Sequence, residues 1–305
     1  MNAMPSATPQ IRVLDAATLR AWPLPQPDAQ GDKQDRGSVL VIAGSREMPG
    51  AAVLAATAAL RAGAGKLAVA TAASAASAVA LAVPEARVIG LPETPRGALE
   101  GKAVDTLSAA GLQPDAAVIG PGMQDEEAVV AFVAALWPQL HGVKVVLDAL
   151  AINTVHRRKP EQSGCESVLL TPHAGEMAHL MQAAKDGVRS EASVAARAAA
   201  DRFAAIVALK GACTFIAVPK AHVWKHAGGN VGLASSGSGD VLAGIIGGLA
   251  ARGATLEQAA AWGVALHARA GEALAKRIGR LGYLAREIAG EIPGLMAALS
   301  NPADI

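Results

Sequence analysis

The chain has 305 residues, of which 52% are hydrophobic, 17% charged and 3% aromatic, and its 27 basic and 26 acidic residues leave a formal net charge of +1. With no Lys/Arg block beyond His156-Arg157-Arg158-Lys159 and so few base-stacking rings, nucleic acid is excluded as the expected partner. The most apolar stretches, Val241 to Ala251 and the Ser-interrupted Ala72 to Val83, fall well short of the ~20 residues of a membrane span, so a soluble protein without a membrane partner is expected.

In chain order, Met1 to Gln10 has neither basic residues nor an apolar core and does not read as a signal peptide. Residues 1–30, rich in Pro, Gln and Asp, read as an extended leader with one helical turn near Asp15 to Ala21. Residues 31–305 read as a single domain. The apolar run Val39 to Ala43, a loop from Gly44 to Gly50, the helical Ala51 to Ala62 and the run Lys66 to Ala70 make a βαβ unit. Runs without polar alternation suggest strands buried on both faces of a parallel sheet. The pattern continues with Ala116 to Ile119, a helix from Asp125 to Leu136, Val143 to Leu147, and Val168 to Leu170. Ile206 to Leu209 and Cys213 to Val218 follow as an antiparallel pair. Helices are expected over Val241 to Arg252, Leu256 to Arg277 and Leu284 to Ala298, the last broken at Pro293. Cys165 and Cys213 match no metal or redox spacing, which fits buried thiols in a reducing cytoplasm. The fold class is α/β, doubly wound, with a mostly parallel sheet flanked by helices on both faces.

Ligands of such sheets bind beyond the carboxyl ends of the strands. The loops there are unusual: Gly44 to Ala52, Gly120-Pro121-Gly122, Asp148 to Asn153, Thr171 to Glu176 and Lys210 to Thr214. Each has a plain alternative: Gly-Pro-Gly is a good turn, Asp148 can cap a helix, His173 can cap at Gly175, and Lys210 can snorkel to water. The segment Asn230 to Asp240 runs from a Gly/Ser loop into an apolar helix. It reads either as a phosphate cradle at a helix N-terminus or as a helix capped by Ser238 with Asp240 in its first turn. An acidic group in a phosphate cradle suits a substrate hydroxyl or a bridging metal better than a phosphate oxygen, and the helix dipole is expected to hold Asp240 a weak base. Gly65-Lys66 lacks the Ser/Thr of a P-loop. Gly44 and Gly50 do not fit a dinucleotide fingerprint, and His173, Glu176 and His179 complete no zinc motif.

Lys33 to Gly37, Gly44-Ser45 with Pro49-Gly50-Ala51, Gly120-Pro121-Gly122, Leu170-Thr171-Pro172-His173-Ala174-Gly175-Glu176, Leu209-Lys210-Gly211 and Gly229-Asn230 to Gly239-Asp240 stand in that order. In this the chain resembles the ADP-dependent NAD(P)H-hydrate dehydratases over about residues 31 to 300. The resemblance implies a ribokinase-like fold, Mg²⁺ dependence, and ADP as co-substrate in the repair of NADHX and NADPHX to NADH and NADPH. It also implies a homotetramer. By the same resemblance Ala51, Gly122 and His173 contact the hydrated cofactor, and Lys210, Gly211, Ala212, Cys213, Thr214 and Gly239 contact the nucleotide. Asp240 faces the 6-hydroxyl as the catalytic residue, and no metal ligand is assigned. Two departures stand out: Ser238 where Thr is common, and Leu150 where the family carries a middle carboxylate between Asp148 and Asn153.

Overall fold

The apolar runs assemble into one ten-stranded sheet in the computed structural model, which describes residues 10–28, 30, 32–158 and 167–300. Its strands are β1 (Ile11–Val13), β2 (Ser38–Ile42), β3 (Lys66–Ala72), β4 (Arg87–Leu91), β5 (Ala116–Ile119), β6 (Lys144–Leu147), β7 (Val168–Leu170), β8 (Ile206–Leu209), β9 (Thr214–Ala217) and β10 (Val223–His226). They lie in the order β1-β10-β9-β8-β7-β6-β5-β2-β3-β4. From β8 through to β4 all neighbours are parallel, β9 is antiparallel to both β8 and β10, and β1 runs parallel to β10.

Helices cover both faces. On one side lie α1 (Ala16–Ala21), α2 (Pro49–Arg61), α9 (Ser238–Ala251), α10 (Leu256–Arg277) and α11 (Ala285–Ser300), sharing a core with Val39 and Val41. On the other lie α4 (Ala103–Ala109), α5 (Glu126–Leu136), α6 (Ala174–Met181), α7 (Lys185–Ser190) and α8 (Ala192–Phe203), sharing a core with Leu40 and Ile42. Successive strand residues thus feed opposite cores, which is why the central strands carry no polar alternation. A further helix, α3 (Ala73–Ala82), follows β3 directly.

The densest helix contact is between α2 and α9. They run side by side in the same direction, Gly237 lying against Leu54, Gly244 against Ala55 and Gly248 against Ala59. A Cβ on Gly244 or Gly248 would fall 2.2 or 2.3 Å from the backbone oxygen of Ala55 or Ala59. The glycines at four-residue spacing therefore make a groove that admits the α2 backbone, and this contact offsets their poor helix propensity.

Three expectations are revised. The segment read as an extended leader enters the sheet at β1, and Leu14, Leu19 and Leu24 are buried in the α2/α9 core. The expected helical turn within it is α1, capped by Asp15. Pro293 does not break the last helix, which continues through it to Ser300; a proline costs one backbone hydrogen bond, and the buried Ile288, Ala289, Ile292 and Leu299 hold both halves to the core. The cap of α9 is Gly237 at φ +86°, not Ser238. Cys165, Lys159 and Pro160 lie outside the described residues.

Candidate active site

The loops singled out in the sequence converge at the carboxyl edge of the sheet around the first turn of α9. Ser238 does not cap because its hydroxyl lies 3.0 Å from Nε2 of His267, which is also 3.0 Å from the Ser238 carbonyl. A carbonyl only accepts, so Nε2 carries the proton and His267 is a donor there. Burial holds this histidine neutral, pushing its pKa down to about 4 against the opposing hydrogen bond it donates to the Ser238 carbonyl. His267 thus fixes the entry of α9 from α10, a role the sequence did not signal.

Beside that turn, three carboxylates gather around one ammonium. Asp148, at the end of β6, is 3% exposed. It caps nothing: its Oδ1 accepts from the Thr171 hydroxyl and from Lys210 Nζ at 2.9 Å. Lys210 therefore does not snorkel to water. Burial alone would lower its pKa, but Asp148, Glu176 and Asp240 outweigh that and raise it, so it stays charged. Its Nζ is 3.3 Å from where a Cβ on Gly239 would stand, which puts the ammonium against the helix N-terminus.

Asp240 departs from expectation. Burial, then the nearby charges of Asp148 and Glu176, push its carboxyl up to about 6, with Lys210 opposing. Desolvation and like charge outweigh the dipole of α9, so Asp240 is a competent base near neutrality rather than a weak one.

His173 is the N-cap of α6. Its Nδ1 accepts from the backbone N–H groups of Gly175 and Glu176 at 2.9 and 3.0 Å, while the Glu176 carboxylate accepts from the His173 N–H at 2.7 Å, a capping box. The capping alternative is therefore realised, and it does not compete with ligand binding. With Nδ1 an acceptor, the proton of the neutral ring sits on Nε2, on a side chain 59% exposed at the cavity mouth. Ala51, in the first turn of α2, and Gly122, at φ +64°, stand against each other: a Cβ on Gly122 would fall 2.5 Å from that of Ala51. Only glycine leaves room there for a ligand over the α2 N-terminus.

Two cavities flank the strap from Lys210 to Thr214. One, of about 700 Å³, is lined by Lys210, Gly211, Ala212, Thr214 and Gly239 together with the aliphatic Val231, Leu233, Leu242 and Val264. The other, of about 770 Å³, takes Cys213 and lies toward α7 and α8. The nucleotide positions thus divide, Cys213 alone of them lining only the second cavity. In the sequence Asp148 stands without an assigned role and His267 without any signal. The Asp148 signal was present: a lone carboxylate directly after a wholly apolar strand. Among the described residues no group of three or more His, Cys, Asp or Glu side chains is disposed to cage a metal ion, and no helix is long and apolar enough to cross a membrane.

The profile of the family described as NAD(P)H-hydrate dehydratase matches residues 39–294, a span running from β2 into α11 and taking in every residue of this site. The chain belongs to that family. Among NAD(P)H-hydrate dehydratase relatives, the ADP-dependent (S)-NAD(P)H-hydrate dehydratase of Xanthomonas campestris is 48% identical over 291 residues, covering 95% of this chain and 98% of the relative. The crystal structure of the ADP/ATP-dependent NAD(P)H-hydrate dehydratase of Bacillus subtilis, co-crystallized with ATP/Mg²⁺, superposes with a TM-score of 0.80 at 29% identity, covering 97% of this chain and 100% of that one. A ribokinase-like superfamily protein of Enterococcus faecalis gives a TM-score of 0.76 at 25% identity over 95% of this chain and 96% of its own. The fold is ribokinase-like, as the resemblance implied.

Proposed function

We propose that this protein dehydrates (S)-NADHX and (S)-NADPHX to NADH and NADPH at the expense of ADP, releasing AMP and inorganic phosphate. Membership of the dehydratase family supports the reading, and the observation that carries it is Asp240. A carboxylate with a pKa of about 6 in the first turn of a helix is suited to take a proton from a hydroxyl lying beside a phosphate.

The hydroxyl on C6 of the hydrated ring is a poor leaving group. Asp240 accepts its proton as the C6 oxygen attacks the β-phosphorus of ADP, and the bond from that phosphorus to the bridging oxygen breaks, leaving AMP. The N–H groups of the first turn of α9 and the Lys210 ammonium stabilise charge on the transferring phosphoryl group. The ring-nitrogen lone pair then expels phosphate from C6. Loss of a proton from C5 forms the C5=C6 bond, completing the dihydropyridine. His173 Nε2–H donates to an acceptor on the hydrated cofactor, and the backbone at Ala51 and Gly122 shapes the ring pocket. The aliphatic wall of Val231, Leu233, Leu242 and Val264 receives the adenine of ADP, with no Phe, Trp or Tyr among the described lining residues.

Mg²⁺ fits this donor set. Asp148, Glu176 and Asp240 exceed the single charge of Lys210, and the protein offers no closed cage, as expected where the ion is shared with nucleotide phosphates and water. It would be held through Asp148 and Glu176 and would supply charge neutralisation on the phosphates. The reading is tested by incubating the protein with NADHX, Mg²⁺ and either ADP or ATP and following the return of NADH absorbance. Absence of recovery with both nucleotides overturns it, and a stable phosphorylated product would make the protein a kinase of the same fold instead.

A further inference from the structure

The reaction as proposed uses the cavity beside α9 for ADP and leaves the second, about 770 Å³, without an occupant. That cavity is lined by Lys185 and Arg189 of α7, Lys225 of β10 and Lys210 of the strap, and among the described residues no Asp or Glu lines it. Lys210 is neutralised by Asp148, and Arg189 has a loose 3.8 Å pair with Asp186, which is 97% exposed and does not line the cavity. Such an exposed pair contributes little and does not consume the guanidinium. Lys185 and Lys225 have no ion pair among the described residues. In a chain of net charge +1, this cationic wall calls for an anion.

The cavity also has an aromatic face. Phe215, one of three phenylalanines in the chain, lines it, and Lys225 lies directly opposite Phe215 across the β9/β10 pair, so their side chains share one face of the sheet. Cationic groups around a half-buried ring suit a phosphorylated nucleoside: phosphates pair with the cations while a base stacks on the ring. Position says which nucleoside. The cavity begins at His173, assigned above to the hydrated cofactor, with Ala174 and Gly175 beside it; His173 borders the first cavity too, but the first turn of α9, where the proposed reaction places the ADP phosphates, lines the first cavity and not this one. A dinucleotide with its nicotinamide end between Ala51, Gly122 and Asp240 and its chain passing His173 leads into this space.

We propose that the second cavity holds the adenylate half of the dinucleotide substrate, with Phe215 against the adenine and Lys185, Arg189 and Lys225 reading its phosphates, the 2′-phosphate of NADPHX included. The assignment rests on the dehydratase reading and adds the substrate's remote half. Because these contacts are made away from the reacting C6, they bind ground state and transition state alike and act on KM rather than kcat.

The test is steady-state kinetics of the Lys185→Gln/Arg189→Gln double variant with NADPHX and with NADHX at saturating ADP and Mg²⁺. Loss of charge-assisted contacts should raise KM for NADPHX by about tenfold or more, and by less for NADHX, with kcat and the KM for ADP within twofold of the parent. Phe215→Leu should raise KM for both hydrates together. A double variant whose KM for both hydrates is unchanged, or whose only change is in the KM for ADP, overturns the assignment. Both replaced side chains are exposed on α7, and an unchanged circular dichroism spectrum accompanies the measurement. Should the parent enzyme dehydrate neither hydrate, the dehydratase reading fails separately. Calorimetric titration with NADP⁺ then decides the cavity: weaker binding in the double variant upholds it, equal binding overturns it.

Discussion

Asp240 carries opposite consequences for rate and for stability. Asp240→Asn removes the base, and turnover is expected to fall by about 10²- to 10⁴-fold while ADP still binds, checked by kcat beside a nucleotide titration. The same change should stabilise the fold. The folded carboxyl titrates at about 6 against an ordinary 3.8, so between those values the folded state holds more protons than the unfolded one, and stability declines as pH rises through that window. Above pH 7 the cost is complete, on the order of 3 kcal/mol. Urea unfolding should show Asp240→Asn more stable than the parent at pH 7 and equal to it below pH 4. For activity the sign is reversed: kcat/KM should fall about tenfold per unit as pH drops below 6. Lys210 lowers this pKa, so Lys210→Met should move the acid limb upward, measured as a pH–rate profile. The position of Asp240 was legible in the sequence, because a Gly/Ser loop running into an apolar helix is a local signal. Its ionisation was not, since that depends first on burial in the assembled site and then on Asp148 and Glu176 arriving from two other loops.

At the scale of elements, the strands easiest to read were those buried on both faces. β2, β5, β7 and β8 announce themselves as short β-branched or aliphatic runs, and their following loops marked the site. β1 and β10 escaped for the complementary reason. They are three and four residues long, stand at or next to the sheet edge, and carry Arg12, Trp224, Lys225 and His226, so no apolar run betrays them. His267 was hidden because it lies mid-helix, where nothing local separates it from a core residue. The α2/α9 seam yields a prediction of its own. Gly248→Ala would gain up to ~1 kcal/mol of helix propensity. The new Cβ cannot be accommodated 2.3 Å from the Ala59 oxygen without separating the helices, so a net loss of about 1–3 kcal/mol is expected, read as a lower urea midpoint.

For the molecule as a whole, the N-terminal segment is structural. Leu14, Leu19 and Leu24 are buried in the main core, and the Trp22 carbonyl accepts from Trp262 Nε1 and Gln258 Nε2 of α10. Deleting residues 1–24 should therefore destabilise the fold by several kcal/mol, at about 1.5–3 kcal/mol for each leucine. Denaturant unfolding would reveal it, and a truncated chain as stable as the parent would return the segment to the status of a leader. The site itself draws on elements from β2 to α10, so it exists only in the assembled sheet. One consequence of the glycine seam bears on how such a site can be mapped. By seating two helix beginnings side by side, it makes main chain, at Ala51, Gly122, Gly239 and their neighbours, the surface that ligands meet. Side-chain truncation cannot delete that surface. An alanine scan would pass over much of it in silence, and its outline would emerge from the opposite experiment, in which glycines are given side chains one at a time.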